Sequence, residues 1–169
     1  MTTVRSDDLQ LTRVPMMETG MLIRRPAAEV FEAILNPEIT TKFWFTRSSG
    51  RLEVGRPVRW DWEMYDVSIQ VTPKAIEPNR RIVIQWPGYG GPTTVEWTFA
   101  AQTEDTTFVR VTESVFTGTG DQLVKFAADS TEGFALMLAG LKAFLEHGVR
   151  LDLVRDRYPK GIDEQQAKA

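Results

Sequence analysis

The stretch from Asp129 to Gly148, DSTEGFALMLAGLKAFLEHG, constrains the rest of the chain most. Phe134, Met137, Leu138, Leu141, Phe144 and Leu145 recur at intervals of three and four, which places them on one face of a helix. Asp129, followed three residues later by Glu132, reads as a capping box in which the first carboxylate accepts from an orphan N–H and the second reaches back. Gly148 stands where a helix end calls for a left-handed residue. Roughly 19 residues at ~1.5 Å each make a rod of about 28 Å. A rod that apolar along one side must be covered by a broad apolar surface, which the preceding residues have to supply.

They supply it as strands. Met16 to Arg25 reads as a first strand with Met17, Met21 and Ile23 on one parity and Gly20 at a bulge. Pro26 opens a helix that carries Val30, Phe31, Ile34 and Leu35 on one side and stops at Asn36-Pro37. A second short helix, from Glu38, ends in the aromatic cluster Phe43-Trp44-Phe45. From Ser48 onward the periodicity becomes two. Arg51–Glu53 reads as a short strand. Val58, Trp60, Trp62 and Met64 alternate with polar residues, then Val67, Ile69 and Val71, then Ile82, Ile84 and Trp86, then Val95, Trp97 and Phe99. Pro73 marks a bend, because proline cannot donate to a ladder. Phe108 to Val115 is the last strand, and its inward face is ambiguous: Phe108, Arg110 and Thr112 share one parity, Val109 and Val111 the other. A glycine-rich connector, Thr117 to Asp121, and a brief helical turn at Leu123–Ala127 lead to the long helix. Short hairpin links make the sheet antiparallel. The expected fold is α+β: a curved antiparallel sheet of six to seven strands wrapped around one long C-terminal helix. Residues 1–14 read as a loose polar arm, 15–157 as a single domain and 158–169 as a polar tail.

Several function classes drop out early. With no cysteine among 169 residues, disulfides, thiolate metal sites and cysteine nucleophiles are excluded. No tight Asp/Glu cluster offers a metal site, and no cofactor is expected. A net charge of -3 argues against a nucleic-acid partner. The first residues lack the apolar core of a signal peptide, and no run approaches the ~20 apolar residues of a membrane span, so a cytoplasmic location is expected.

The order of elements, with several local motifs, resembles the helix-grip fold of START-like (SRPBCC) proteins, and within them the family related to the activator of Hsp90 ATPase, the AHSA1-like proteins. The motifs are Pro26-Ala27-Ala28-Glu29-Val30-Phe31; Asn36-Pro37-Glu38 followed by Phe43-Trp44-Phe45; Val95-Glu96-Trp97-Thr98-Phe99 before Phe108-Val109-Arg110-Val111-Thr112; and Glu132-Gly133-Phe134 opening a helix that closes with Leu145-Glu146-His147-Gly148. The resemblance spans about residues 16–150. One departure is Phe134, where the family often has a tryptophan. The resemblance implies a deep apolar cavity between helix and sheet. It also implies diverse roles: lipid and aromatic-ligand binding, polyketide cyclisation and, in one eukaryotic branch, chaperone activation.

Candidate chemistry is sparse. His147 is the lone histidine, but in a last helical turn it complements the helix dipole more naturally than it serves as a base. No G-x-S-x-G elbow is present, and the glycines of Gly88-Tyr89-Gly90-Gly91 and Gly118-Thr119-Gly120 read as loop glycines rather than a phosphate cradle. No catalytic residue is assigned. Five tryptophans are many for this length; core packing is the default reading of their inward parities, and an aromatic cavity wall is the functional one. The expected lining is Trp44, Trp60, Trp62, Ile69, Ile84, Trp86, Trp97, Phe99, Arg110, Phe134, Met137, Leu138 and Leu141. Arg110, if inward, would pair with a ligand carboxylate or with a buried acid such as Glu113 or Glu96; an outward-facing cross-strand ion pair is the commoner arrangement for such a residue. The leading reading is a protein that binds a small hydrophobic or aromatic molecule. A cyclase- or hydrolase-like enzyme and an Hsp90-type chaperone-interacting module are the alternatives, and an exposed sheet edge would favour a homodimer.

Overall fold

The computed structural model describes residues 10–162; most of the expected arm and tail, residues 1–9 and 163–169, lies outside the described residues. Seven strands form one antiparallel sheet: β1 (Met17–Ile23), β2 (Arg47–Ser48), β3 (Val58–Trp62), β4 (Val67–Glu77), β5 (Arg81–Pro87), β6 (Pro92–Thr103) and β7 (Thr106–Ser114). Their spatial order is β1-β7-β6-β5-β4-β3-β2. Every link from β3 to β7 is a hairpin, so neighbours in sequence are neighbours in space, and only β1 crosses to the far edge. Between β1 and β2 lie α1 (Ala27–Leu35) and α2 (Pro37–Thr40). The long helix α3 (Gly120–His147) and a short α4 (Leu153–Asp156) follow the sheet.

The local chemistry accounts for these elements, with corrections. α3 is one continuous helix, not a turn followed by a helix, and its capping box is Thr119 with Gln122 rather than Asp129 with Glu132. Asp129 lies inside the helix, paired with Lys125 one turn back at 3.0 Å. Gly148 closes the helix in the left-handed region, as its position requires. Asn36 caps α2 with its side chain, accepting from the Glu38 N–H. Residues 51–53 are not a strand; Glu53 makes one isolated bridge to Arg56. Met64 belongs to a turn of 3₁₀ helix, Glu63–Tyr65, rather than to β3. At Pro73 the register of β4 against β5 shifts, as a missing donor demands. Gly20 is not at a bulge: it pairs in register with Arg110, and the Phe108 ring occupies the space that a β-carbon would need, at 2.6 Å.

Burial separates the two faces cleanly. On β7 the inward residues are Val109, Val111 and Glu113, all fully buried, and Phe108 and Arg110 face out. On β6 the inward set is Val95, Trp97 and Phe99. α1 presses Val30, Phe31 and Ile34 onto this part of the sheet, with Phe31 edge-on to Phe99 at 5.4 Å. α3 packs along β1, burying Phe134, Met137, Leu138 and Leu141. Gly140 lets it approach the Phe43 backbone: a β-carbon there would lie 3.2 Å from the Phe43 carbonyl oxygen.

Candidate functional site

Away from β1 the helix and the sheet part company, and a cavity of about 340 Å³ opens between them. Its sheet side is Trp62 at the end of β3, Val67 and Ile69 on β4, and Trp86 on β5. Its helix side is Asp129, Glu132, Gly133 and Leu136, about two turns of α3. A third wall comes from the C-terminal residues Val154, Arg157, Tyr158 and Ile162.

Trp44 is the hub. It leaves α2 and enters the core with its ring 5.1 Å from Trp60, 5.8 Å from Trp62, 6.1 Å from Trp86 and 5.7 Å from Phe134. Tilted and edge-on geometries dominate, as ring quadrupoles prefer. Tyr89, on the β5–β6 hairpin, stacks on Phe126 at 5.1 Å; burial pushes its hydroxyl pKa well up, aided by the negative charges of Asp129 and Glu113. Tyr65 donates its hydroxyl hydrogen to the carbonyls of Val154 and Arg155 and meets the Tyr158 ring edge-on at 5.9 Å. Arg157 lies 4.5 Å from the Tyr158 ring centre and pairs with Glu132 of α3. The third wall is thus tied to both sheet and helix.

One charged side chain of this wall is fully buried. Glu113 continues the inward parity of Val109 and Val111, is fully buried, and borders the cavity. One carboxylate oxygen accepts from the Trp86 indole N–H at 2.9 Å and from the Thr93 hydroxyl at 2.5 Å. The other accepts from the Ser130 hydroxyl of α3 at 2.5 Å. Unmade hydrogen bonds would make such burial costly, and three neutral donors meet that cost. The cluster joins β5, β6, β7 and α3 at one point. Gly88 belongs to it indirectly: a β-carbon there would lie 2.0 Å from the Thr93 hydroxyl oxygen, so only glycine lets the hairpin pass.

The expected lining divides in two. Trp44, Trp62, Ile69 and Trp86 border the cavity. Trp60, Ile84, Trp97, Phe99, Phe134, Met137, Leu138 and Leu141 do not: they are buried in the closed core, in contact with side chains on all sides. Arg110 is a correction in the other direction. It faces solvent on β7, opposite Gly20, and pairs with Glu18 across the strands at 3.6 Å. His147 is exposed at the end of α3, some 11 residues beyond Leu136, or about 16 Å along the axis. Sequence reasoning missed Tyr65, Tyr89, Val154, Tyr158 and the inward set of Glu113. Among the described residues no cluster of histidine and carboxylate side chains suits a metal, and no helix is long and apolar enough to cross a membrane.

A family model described as "Activator of Hsp90 ATPase homolog 1-like protein" matches residues 24–146. No curated protein matches the chain significantly. Among solved structures, a protein from Staphylococcus saprophyticus is 33% identical, with a TM-score of 0.70 over 81% of this chain and 96% of that one. The Aha1 dimer from Colwellia psychrerythraea is 22% identical, with a TM-score of 0.67 over 79% of this chain and 98% of that one. DynU16, a protein of the dynemicin biosynthetic locus, is also 22% identical, at a TM-score of 0.66; 80% of this chain aligns with 48% of that one. The last two share the fold.

Proposed function

We propose, for a chain that belongs to the activator of Hsp90 ATPase homolog 1-like family, that it binds a small, largely apolar molecule carrying an aromatic ring. The observation behind this reading is the cavity itself: about 340 Å³, walled by three tryptophans and three tyrosines. Ligand pockets run from roughly 300 to 1,000 Å³ and are mostly apolar with a few placed polar groups. This one lies at the small end, with Glu113 as its buried polar group.

The enzymatic alternative is weaker. General acid–base work needs a titratable pair facing a reacting atom. Glu113 is held by two hydroxyls and an indole, Asp129 and Glu132 are engaged by Lys125 and Arg157, and His147 is remote from all three.

Gly133 provides the test. It borders the cavity, and a β-carbon added to it meets nothing within 4 Å. Gly133→Leu should plug the site while leaving the core alone. Quenching of tryptophan fluorescence by a panel of small aromatic compounds is expected in the native chain and lost in this variant. Quenching that is identical in both would remove the cavity from consideration.

A further inference from the structure

The cavity wall is electrically lopsided. It carries three carboxylates, Glu113, Asp129 and Glu132, against one guanidinium, Arg157. Arg157 is already committed to Glu132 and to the Tyr158 ring. Lys125 pairs with Asp129 but is largely exposed and does not border the cavity. The deepest of the three acids, Glu113, has only neutral hydrogen-bond partners. Charges buried in proteins are ordinarily paired. The same cavity is lined by the rings of Trp44, Trp62, Trp86, Tyr65, Tyr89 and Tyr158, whose π-faces are negative. Both features favour the same kind of guest.

Resting on the binding reading above, we propose that the occupant is an organic ammonium. Its apolar body lies among the rings, and its charged nitrogen is drawn towards Glu113. Direct contact is not required: opposite charges still attract across the thickness of a ring. The ammonium would supply the positive charge that the wall lacks. A carboxylate ligand, by the same reasoning, is rejected.

A charge series on one frame tests this. Phenylbutylammonium, phenylbutanol and phenylbutanoate differ only at the terminal group, and calorimetric titration of the native chain at low salt ranks them. The ammonium should bind at least about tenfold more tightly than the alcohol, the yield of one charge-assisted interaction. The carboxylate should bind weakest. Glu113→Gln keeps the shape and hydrogen-bonding capacity of the side chain, and should bring the ammonium-to-alcohol ratio below about threefold. Should that variant not fold, the native series still decides, and Asp129→Asn at the mouth should lower the ratio by a smaller factor. An alcohol that binds as well as the ammonium overturns the charge inference and leaves the cavity reading standing. If none of the three binds, both readings fall. A preference for ammonium that survives both substitutions also overturns it, because the attraction would then arise elsewhere.

Discussion

Two stretches of α3 do different things: one is packed as core and the other is left as wall. Its C-terminal half lies along β1, and Met137, Leu138 and Leu141 are fully buried there with Gly140 against the Phe43 backbone. Its middle, from Asp129 to Leu136, faces β3, β4 and β5 across a cavity. The inward positions of the first are Met137, Leu138 and Leu141, all apolar; the cavity-facing positions of the second are Asp129, Glu132, Gly133 and Leu136, of which only the last is apolar. β1 packs against the helix, whereas the cavity separates the helix from β3, β4 and β5. The lesson is that amphipathic pattern fixes which residues face inward; the separation of the layers fixes whether an inward residue is core or wall.

Paired substitutions can break this contrast. The largest effect is expected from truncation. Leu138→Ala removes a fully buried side chain and should cost about 3–5 kcal/mol. Leu136→Ala, half-buried and bordering the cavity, should cost under about 1.5 kcal/mol. Equal losses in denaturant unfolding would mean that the two stretches are packed alike.

A sharper version uses two glycines of the same helix. Gly133→Ala meets open space and should stabilise by about 1 kcal/mol through helix propensity alone. Gly140→Ala should forfeit that gain, because its methyl crowds the Phe43 carbonyl and overpacking costs about 1–3 kcal/mol. Thermal unfolding of the two variants should therefore move in opposite directions.

The smallest effect is a pH dependence confined to the β2–β3–β4 end of the sheet. Asp61 on β3 accepts from the Ser68 hydroxyl at 2.6 Å and from Arg47 and Arg59 at 2.9 and 2.7 Å. The Ser68 hydrogen bond first, then the two guanidiniums, hold its pKa down from 3.8 to about 2. A carboxyl with a lowered folded-state pKa contributes stability that is fully present above its unfolded value and is lost as pH falls. The window is therefore about pH 4 down to about pH 2. Asp61→Asn should flatten acid unfolding in that window. Hydrogen exchange in the native chain should show β3 and β4 loosening there before β1 and β7; uniform loosening would count against a divided molecule.

Much of the fold was legible in the sequence because it rests on local periodicity. Alternation placed Trp60, Ile84, Trp97 and Phe99 inward correctly. The site was less legible for the reason α3 illustrates: inward parity alone could not tell Trp60, which is sealed in the core, from Trp62, which borders the cavity. On β7 the parity stayed ambiguous because Arg110 and Glu113 are both charged, and only pairing with β1 and β6 shows which one turns in. The capping box went astray because Asp129 and Glu132 offer the same spacing as Thr119 and Gln122, and the flanking Gly118 and Gly120 look like loop. Val154, Arg157 and Tyr158 lie in a polar stretch whose one aromatic was the available signal; its partner Tyr65 sits 93 residues earlier, beyond the reach of any local pattern.

That third wall has a consequence for how such a chain could diversify. Residues Val154 to Ile162 belong to neither the gripping sheet nor the gripped helix, and they are moored by a tyrosine hydroxyl, an ion pair and two rings meeting edge-on. Exchanging that short segment would resize and recolour the chamber while every strand pairing stayed as it is. One wall of the cavity can thereby drift without disturbing the strand pairings, whereas Glu113 and the tryptophans cannot.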